Sequence, residues 1–214
     1  MNITLEKLIP LPLLEQDTSG SEVWEAESLL FIQGKRYVVE APSGRGKTSL
    51  LSILYGLRND YRGRVLYDGK NGAEFSTAEW AAIRKTHLSF IFQGLELFEQ
   101  LSALDNIRLK NELTAHCSLD EILEMAEILG IAPFLNRKAG ILSFGQQQRV
   151  AILRALCQPF DFLFADECFS HIDTDTSSTA LKLILEACEQ RGAGLILTSL
   201  NKASVSEDLI RLAL

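Results

Sequence analysis

The chain has 214 residues, 47% of them apolar and 23% charged, which is enough for one sizeable core and ordinary for a folded domain. Its 28 acidic against 21 basic side chains leave a net charge of −7, which argues against a nucleic-acid binder whose affinity comes from displaced counterions. No apolar run approaches the roughly 20 residues of a membrane helix, and residues 1–14 lack the basic head, apolar stretch and cleavage site of a secretory leader.

Short β-type runs alternate with longer helical patterns, which predicts α/β layering around a mostly parallel sheet. Trp24 reads as a core residue ahead of apolar 29–32. Residues 37–40 form a buried-strand run entering a Gly-rich turn, and 48–57 read as the helix that follows. A short strand at 64–67 precedes the Asp68-Gly69 turn. Residues 88–92 and 160–165 are dense apolar runs, the mark of central parallel strands. Between them only helical periodicity is visible. Ser118 and Glu121 have capping-box spacing, apolar residues recur at Ile122, Met125, Ala126 and Leu129, and Gly130 supplies a stop. Another helical pattern runs through Val150, Ile152, Leu153 and Leu156 and stops before Pro159. Strands at 194–198 and 208–212 close the series. Cys117, Cys157, Cys168 and Cys188 show no C-x-x-C spacing and read as reduced thiols of a cytosolic protein.

Three segments carry chemistry. Ala41-Pro-Ser-Gly-Arg-Gly-Lys47-Thr48-Ser49 lies between a predicted strand and a predicted helix, the context a phosphate-binding loop requires. Small residues let backbone amides converge on phosphate, Lys47 reaches the terminal oxygens, and Thr48 offers a hydroxyl to magnesium. Ala41 stands where glycine is usual. The run from Phe160 to Asp166 and Glu167 ends in two carboxylates at the C-terminal edge of a central strand, where open α/β sheets bind ligands. Asp166 is placed to hold magnesium and Glu167 to polarise water, unless the pair is simply a strand end reaching solvent. Leu142-Ser-Phe-Gly-Gln146-Gln-Gln-Arg149 opens a helix, so Ser143 and Gly145 sit where free amides favour an anion, or where an ordinary cap suffices.

The order of phosphate loop, Phe90-Ile-Phe-Gln93, Leu142-Ser-Phe-Gly-Gln146, Asp166-Glu167 and Ser170-His-Ile-Asp173 resembles the ATP-binding cassette (ABC) ATPases over nearly the whole chain. The signature segment differs from the family's usual form only at Phe144. Ser102-Ala-Leu-Asp-Asn-Ile107 looks like the subgroup of lipoprotein release, macrolide export and cell division. The resemblance implies a P-loop NTPase fold: one domain over 1–214, a mostly parallel sheet with a β-rich N-terminal edge, and a helical subdomain inserted at about 94–158. It implies ATP and magnesium as ligands, and a head-to-tail dimer in which one copy's phosphate loop and the other's signature share each ATP. That explains why a second anion-favouring helix start follows about a hundred residues after the first. By the same resemblance Pro42, Ser43, Gly44, Arg45, Gly46, Lys47, Thr48 and Ser49 surround the phosphates. Thr48, Gln93 and Asp166 attend the metal, and Ser143, Gly145 and Gln146 meet the γ-phosphate of the other copy. Glu167 acts as base with Lys47 and Gln93 in support, and Asp173 lies in the loop joining the two sites.

Two family features are missing. Leu200 or Ser199 stands where a histidine contacts the γ-phosphate, and His171 falls in the connecting loop instead. No aromatic residue near 11–14 offers adenine a stacking partner, leaving Trp24 as a remote substitute. The leading expectation is therefore an ATPase of a transporter whose membrane subunits are separately encoded, resident on the cytoplasmic side of the membrane through that partner. An ATP-gated switch with slow hydrolysis is the alternative. A soluble cassette acting on nucleic acid is disfavoured by the charge.

Overall fold

The computed structural model describes residues 1–170, 173–199 and 209–214. In chain order the elements are β1 (Ile3–Pro10), β2 (Ser28–Phe31), β3 (Arg36–Glu40), α1 (Lys47–Leu54), β4 (Tyr61–Tyr67), β5 (Lys70–Asn71), α2 (Thr77–Thr86) and β6 (Leu88–Ile91). There follow α3 (Ala103–Asn111), α4 (Leu119–Ile128), α5 (Phe144–Leu156), β7 (Phe162–Asp166), α6 (Thr174–Arg191), β8 (Gly194–Ser199) and β9 (Ile210–Ala213). Among the described residues these strands form two sheets, an antiparallel one in the order β2-β1-β4-β5 and a parallel one in the order β6-β7-β8-β3-β9.

The central strands β6, β7 and β8 of the parallel sheet are buried on both faces, which is why they read as continuous apolar runs, whereas the edge strand β9 is mostly exposed. Successive residues of β7 divide between two cores. Phe162 and Phe164 join Leu50, Leu51 and Leu54 of α1 and Ile3, Leu5 and Leu8 of β1. Leu163 and Ala165 join Val150, Leu153 and Leu156 of α5 and Leu183 and Ile184 of α6. One core thus ties the sheet to the N-terminal antiparallel layer, and the other ties it to the helices α3–α6. Burying each such leucine or phenylalanine contributes about 2 kcal/mol before entropy is counted.

Local chemistry explains most boundaries. Ser76–Glu79, Ser102–Asp105 and Ser118–Glu121 each close a capping box, starting α2, α3 and α4. The helix expected to reach residue 57 ends at Leu54, with Tyr55 as its cap and Gly56 at φ 73°. The strand expected at 160–165 starts two residues later and ends on Asp166, and the last strand is Ile210–Ala213 rather than 208–212. The strand read at 64–67 begins at Tyr61. Among the described residues no helix is long and apolar enough to cross a membrane. The four cysteines are free thiols, and burial pushes Cys188 up to about 12.

Candidate functional site

The C-terminal ends of β3, β6, β7 and β8 meet at one edge of the parallel sheet, and the chemistry-bearing loops grow from them. β3 feeds the loop 41–46. Gly44 and Gly46 adopt φ 83° and 97°, which suits glycine. At Gly46 a β-carbon would also stand 2.8 Å from a Leu13 methyl and 3.1 Å from the Trp24 ring, so a larger residue would have to push both aside. Trp24 is 6% exposed and donates its indole N–H to the Arg45 carbonyl at 3.3 Å; it underlies the loop as a core residue, as its sequence context suggests. The Arg45 guanidinium turns away to the Asp17 carbonyl. α1 then starts at Lys47 with no side-chain cap, leaving its first amides for an anion.

Lys47 is buried, an ammonium held by the Ala41 and Pro42 carbonyls at 2.7 and 3.1 Å. It also lies 3.2 Å from Glu167 Oε1. Ala41, at the first motif position, meets Lys47 through its main-chain carbonyl, a group any residue supplies. Gln93 follows β6, whose end is packed by Phe90 and Phe92 stacked at 4.1 Å and Tyr55 edge-on to Phe92 at 5.9 Å. Burial pushes the Tyr55 phenol up to about 12. From there the Gln93 amide donates to Glu167 Oε2 at 3.2 Å. Lys47, Gln93 and Glu167, separated in sequence by up to 120 positions, therefore converge on one carboxylate.

Glu167 has φ 45°, a left-handed conformation fixed by its amide donating to Thr198 Oγ1 at 3.1 Å. The Thr198 hydroxyl in turn donates to Asp166 Oδ1 at 2.6 Å, and Thr198 sits opposite Asp166 in the β7–β8 register. Asp166 is 1% exposed and its other oxygen, Oδ2, is buried without a hydrogen-bond partner. A carboxylate oxygen orphaned in this way costs free energy unless a cation or bound water completes it. Thr48 is exposed in the first turn of α1, and the residue set of Thr48, Gln93 and Asp166 is all oxygen-donating, as a hard divalent cation requires. Ser43, Gly44, Gly46, Thr48 and Ser49 line the same cleft as Lys47, Gln93 and Glu167. Ser49 departs from its expected role in one respect: its hydroxyl accepts from Arg58 at 2.7 Å, and Arg58 is itself clamped by Asp60.

Among the described residues, none from the signature segment lines that cleft. Ser143 caps α5, accepting from the Gln146 amide at 3.3 Å while Gln146 Oε1 accepts from the Ser143 amide at 3.0 Å. The Gln146 side chain is thus turned onto its own helix. Ser143 is exposed and Phe144 is 44% exposed, so the stretch faces outward from its own fold. Arg149 secures the helix start by donating to the carbonyls of Gly145 and Leu129 at 3.1 and 2.8 Å. Asp173 caps α6 by accepting from the Thr176 amide at 2.9 Å, which lowers its carboxyl pKa. Pro42, like Ser43 and Arg45, is exposed. Ser199 ends β8, while Leu200, the other position for the missing histidine, and His171 lie outside the described residues.

Three participants escape the sequence reading: Thr198, Arg58 and the supporting role of Trp24. Thr198 has a signal only in hindsight of register, because nothing in the chain says which residue of β8 stands beside Asp166.

The ABC transporter family model matches residues 26–170, and the chain belongs to that family as an ATP-binding cassette. An uncharacterized ABC transporter ATP-binding protein of Thermotoga maritima is 32% identical over 189 residues, covering 87% of this chain and 80% of the relative. The lipoprotein-releasing system ATP-binding protein LolD of Syntrophotalea carbinolica is 38% identical over 170 residues, covering 78% and 74%. Among solved structures, the post-hydrolysis dimer of the cassette MJ0796 bound to ADP and phosphate is similar at TM-score 0.75 and 25% identity, covering 93% and 88% of the two chains. A second dimeric structure of that bacterial cassette shares the fold at TM-score 0.81 with 24% identity, covering 99% and 94%.

Proposed function

We propose that this chain is the ATP-hydrolysing subunit of a transporter, and that ATP-driven closure of a head-to-tail homodimer moves separately encoded transmembrane subunits. The observation that carries this reading is the convergence of Lys47 and Gln93 on Glu167 in a cleft that holds no signature residue, while Ser143 faces solvent. Such a cleft supplies half of a phosphate cage and leaves the other half to a second copy. The subunit works at the inner face of the membrane, held there by its partner. Residues 94–158 act within the single domain as the helical subdomain that carries the signature.

The amides of 42–46 and of the first turn of α1 bind the phosphates. Lys47 exchanges the Glu167 carboxylate and two carbonyls for phosphate oxygens. Glu167, so released, takes the proton of the water that attacks the γ-phosphorus, while Gln93 orients that water. The new P–O bond forms as the bond to the ADP oxygen breaks, giving ADP and phosphate. Thr48, Gln93 and Asp166 would hold magnesium, which when bound neutralises charge on the β- and γ-phosphates. Ser143 and Gly145 of the second copy close the cage, and Asp173 at the start of α6 links the two sites.

A slow, ATP-gated switch is the second reading, favoured by the sequence at the end of β8, where Leu200 or Ser199 stands in place of the expected histidine. Capture from native membranes with the Glu167→Gln protein separates the readings. A multi-span membrane protein recovered only with magnesium-ATP supports the transporter; nucleic acid, or no membrane protein in either nucleotide state, contradicts it. Turnover that stays far below one per minute with that partner present supports the switch.

A further inference from the structure

Arg154 lies in the C-terminal half of α5, is 8% exposed and takes no part in the cleft. Burial holds its pKa below the usual arginine value, so the fold keeps a charge where charge is costly. The guanidinium donates to two main-chain carbonyls, Nη2 to Leu95 and Nη1 to Glu96. These residues have φ 60° and 50°, two consecutive left-handed conformations at non-glycine positions. L-residues adopt that region reluctantly, and such strain persists only where the surroundings over-determine it. Here the surroundings are the planar fork of Arg154, which a lysine ammonium does not reproduce, and the burial of Leu95 at 4% exposure.

The strained pair begins two residues after Gln93, and the Leu95 amide donates back to the Phe92 carbonyl at 3.0 Å, so the segment 92–96 is one tight turn. α5 carries the Ser143 cap at its other end, eleven residues upstream. At 1.5 Å per residue this is a rigid arm about 16 Å long. We infer that Arg154 is a positioning residue that makes α5 and the Gln93 turn one mechanical unit. Seating the Ser143 end of α5 on a nucleotide then shifts the Gln93 amide relative to Glu167, and displacing Gln93 tilts the signature. This rests on the proposed shared-ATP site for its consequence, though not for the linkage itself.

The test combines a double-mutant cycle with hydrogen exchange on the full chain. Arg154→Lys keeps the charge and removes the fork, and Arg154→Met is the second variant should the lysine alter folding. Expected results are a roughly tenfold lower kcat with KM for ATP within twofold, and less than a twofold further loss when the same change is made in Gln93→Ala. An equal fold-loss in both backgrounds would overturn the linkage. In nucleotide-free protein the amides of 93–97 should exchange at least tenfold faster in Arg154→Lys, with α1 and β7 unchanged; unaltered exchange there would overturn it too. If the unmodified protein hydrolyses no ATP, the functional reading fails while the exchange result still decides the role of Arg154.

Discussion

The two anion-favouring helix starts of this chain are built in opposite ways. At α1 the loop is backed by Trp24, its lysine is buried, and Glu167 serves as an internal counter-ion. At α5 residues 143 and 144 are exposed, the Ser143 and Gln146 side chains cap each other's amides, and none of the residues lining the cleft comes from that segment. The first holds its lysine against two carbonyls and a carboxylate of the protein itself. The second lines no part of its own chain's cleft and is exposed at Ser143 and Phe144. On the proposed shared-ATP site these are a charge-bearing half and a neutral half, and what separates them is burial rather than motif strength.

The largest effect that sharpens this contrast is expected at Glu167. Glu167→Gln should lower kcat about a hundredfold to ten-thousandfold, the range of general-base contributions. It should also leave an ATP-dependent dimer on size exclusion, and a strictly monomeric mutant at saturating magnesium-ATP would count against the shared cage. Lys47→Ala should cost about a hundredfold to a thousandfold in kcat/KM, as removal of a preorganised donor to developing charge does; retained turnover would remove the phosphate loop from the account. Ser143→Arg acts on the open half, and we expect at least a tenfold loss of turnover with nucleotide affinity of the monomer unchanged in equilibrium dialysis. Loss of monomer affinity instead would mean that the segment serves its own cleft. Leu200→His should raise turnover several-fold, whereas a rise only with Ser199→His would move the missing residue by one position. The smallest effect on activity is at Gly63, where a β-carbon would lie 2.3 Å from the Lys7 carbonyl at φ 89°. Gly63→Ala should cost about 1–3 kcal/mol of stability in denaturant titration with kcat preserved.

Much of the site is legible in the sequence because each half is a contiguous motif. Lys47, Thr48, Asp166, Glu167 and the Ser143 cap all lie on elements that local pattern predicts, and the parallel sheet follows from its uninterrupted apolar strands. β1 is less visible. Its burial alternates at Ile3 and Leu5, then slips to Leu8 and Pro10 because Lys7 bulges at φ 47°, which breaks the period of two. α6 does carry the signal of a buried face, at Ala180, Leu183, Ile184, Ala187 and Cys188, but its Thr- and Ser-rich first half dilutes helical propensity. The contacts that finish or flank the site, Thr198 to Asp166 and Arg58 to Ser49 within it and Arg154 to Leu95 behind it, join residues whose neighbourhood depends on strand register and helix packing. No local pattern encodes those.

Mixing two inactive proteins tests the central claim most directly. Lys47→Ala and Ser143→Arg subunits are each without a working cage, but a heterodimer of the two has one complete cage if every ATP is held by both copies. Equal mixing should therefore restore about a quarter of normal ATPase activity, since about half the dimers are mixed and each has one of two sites intact. Activity that stays at the sum of the separate proteins, under conditions where mixed dimers are shown to form, would contradict the account.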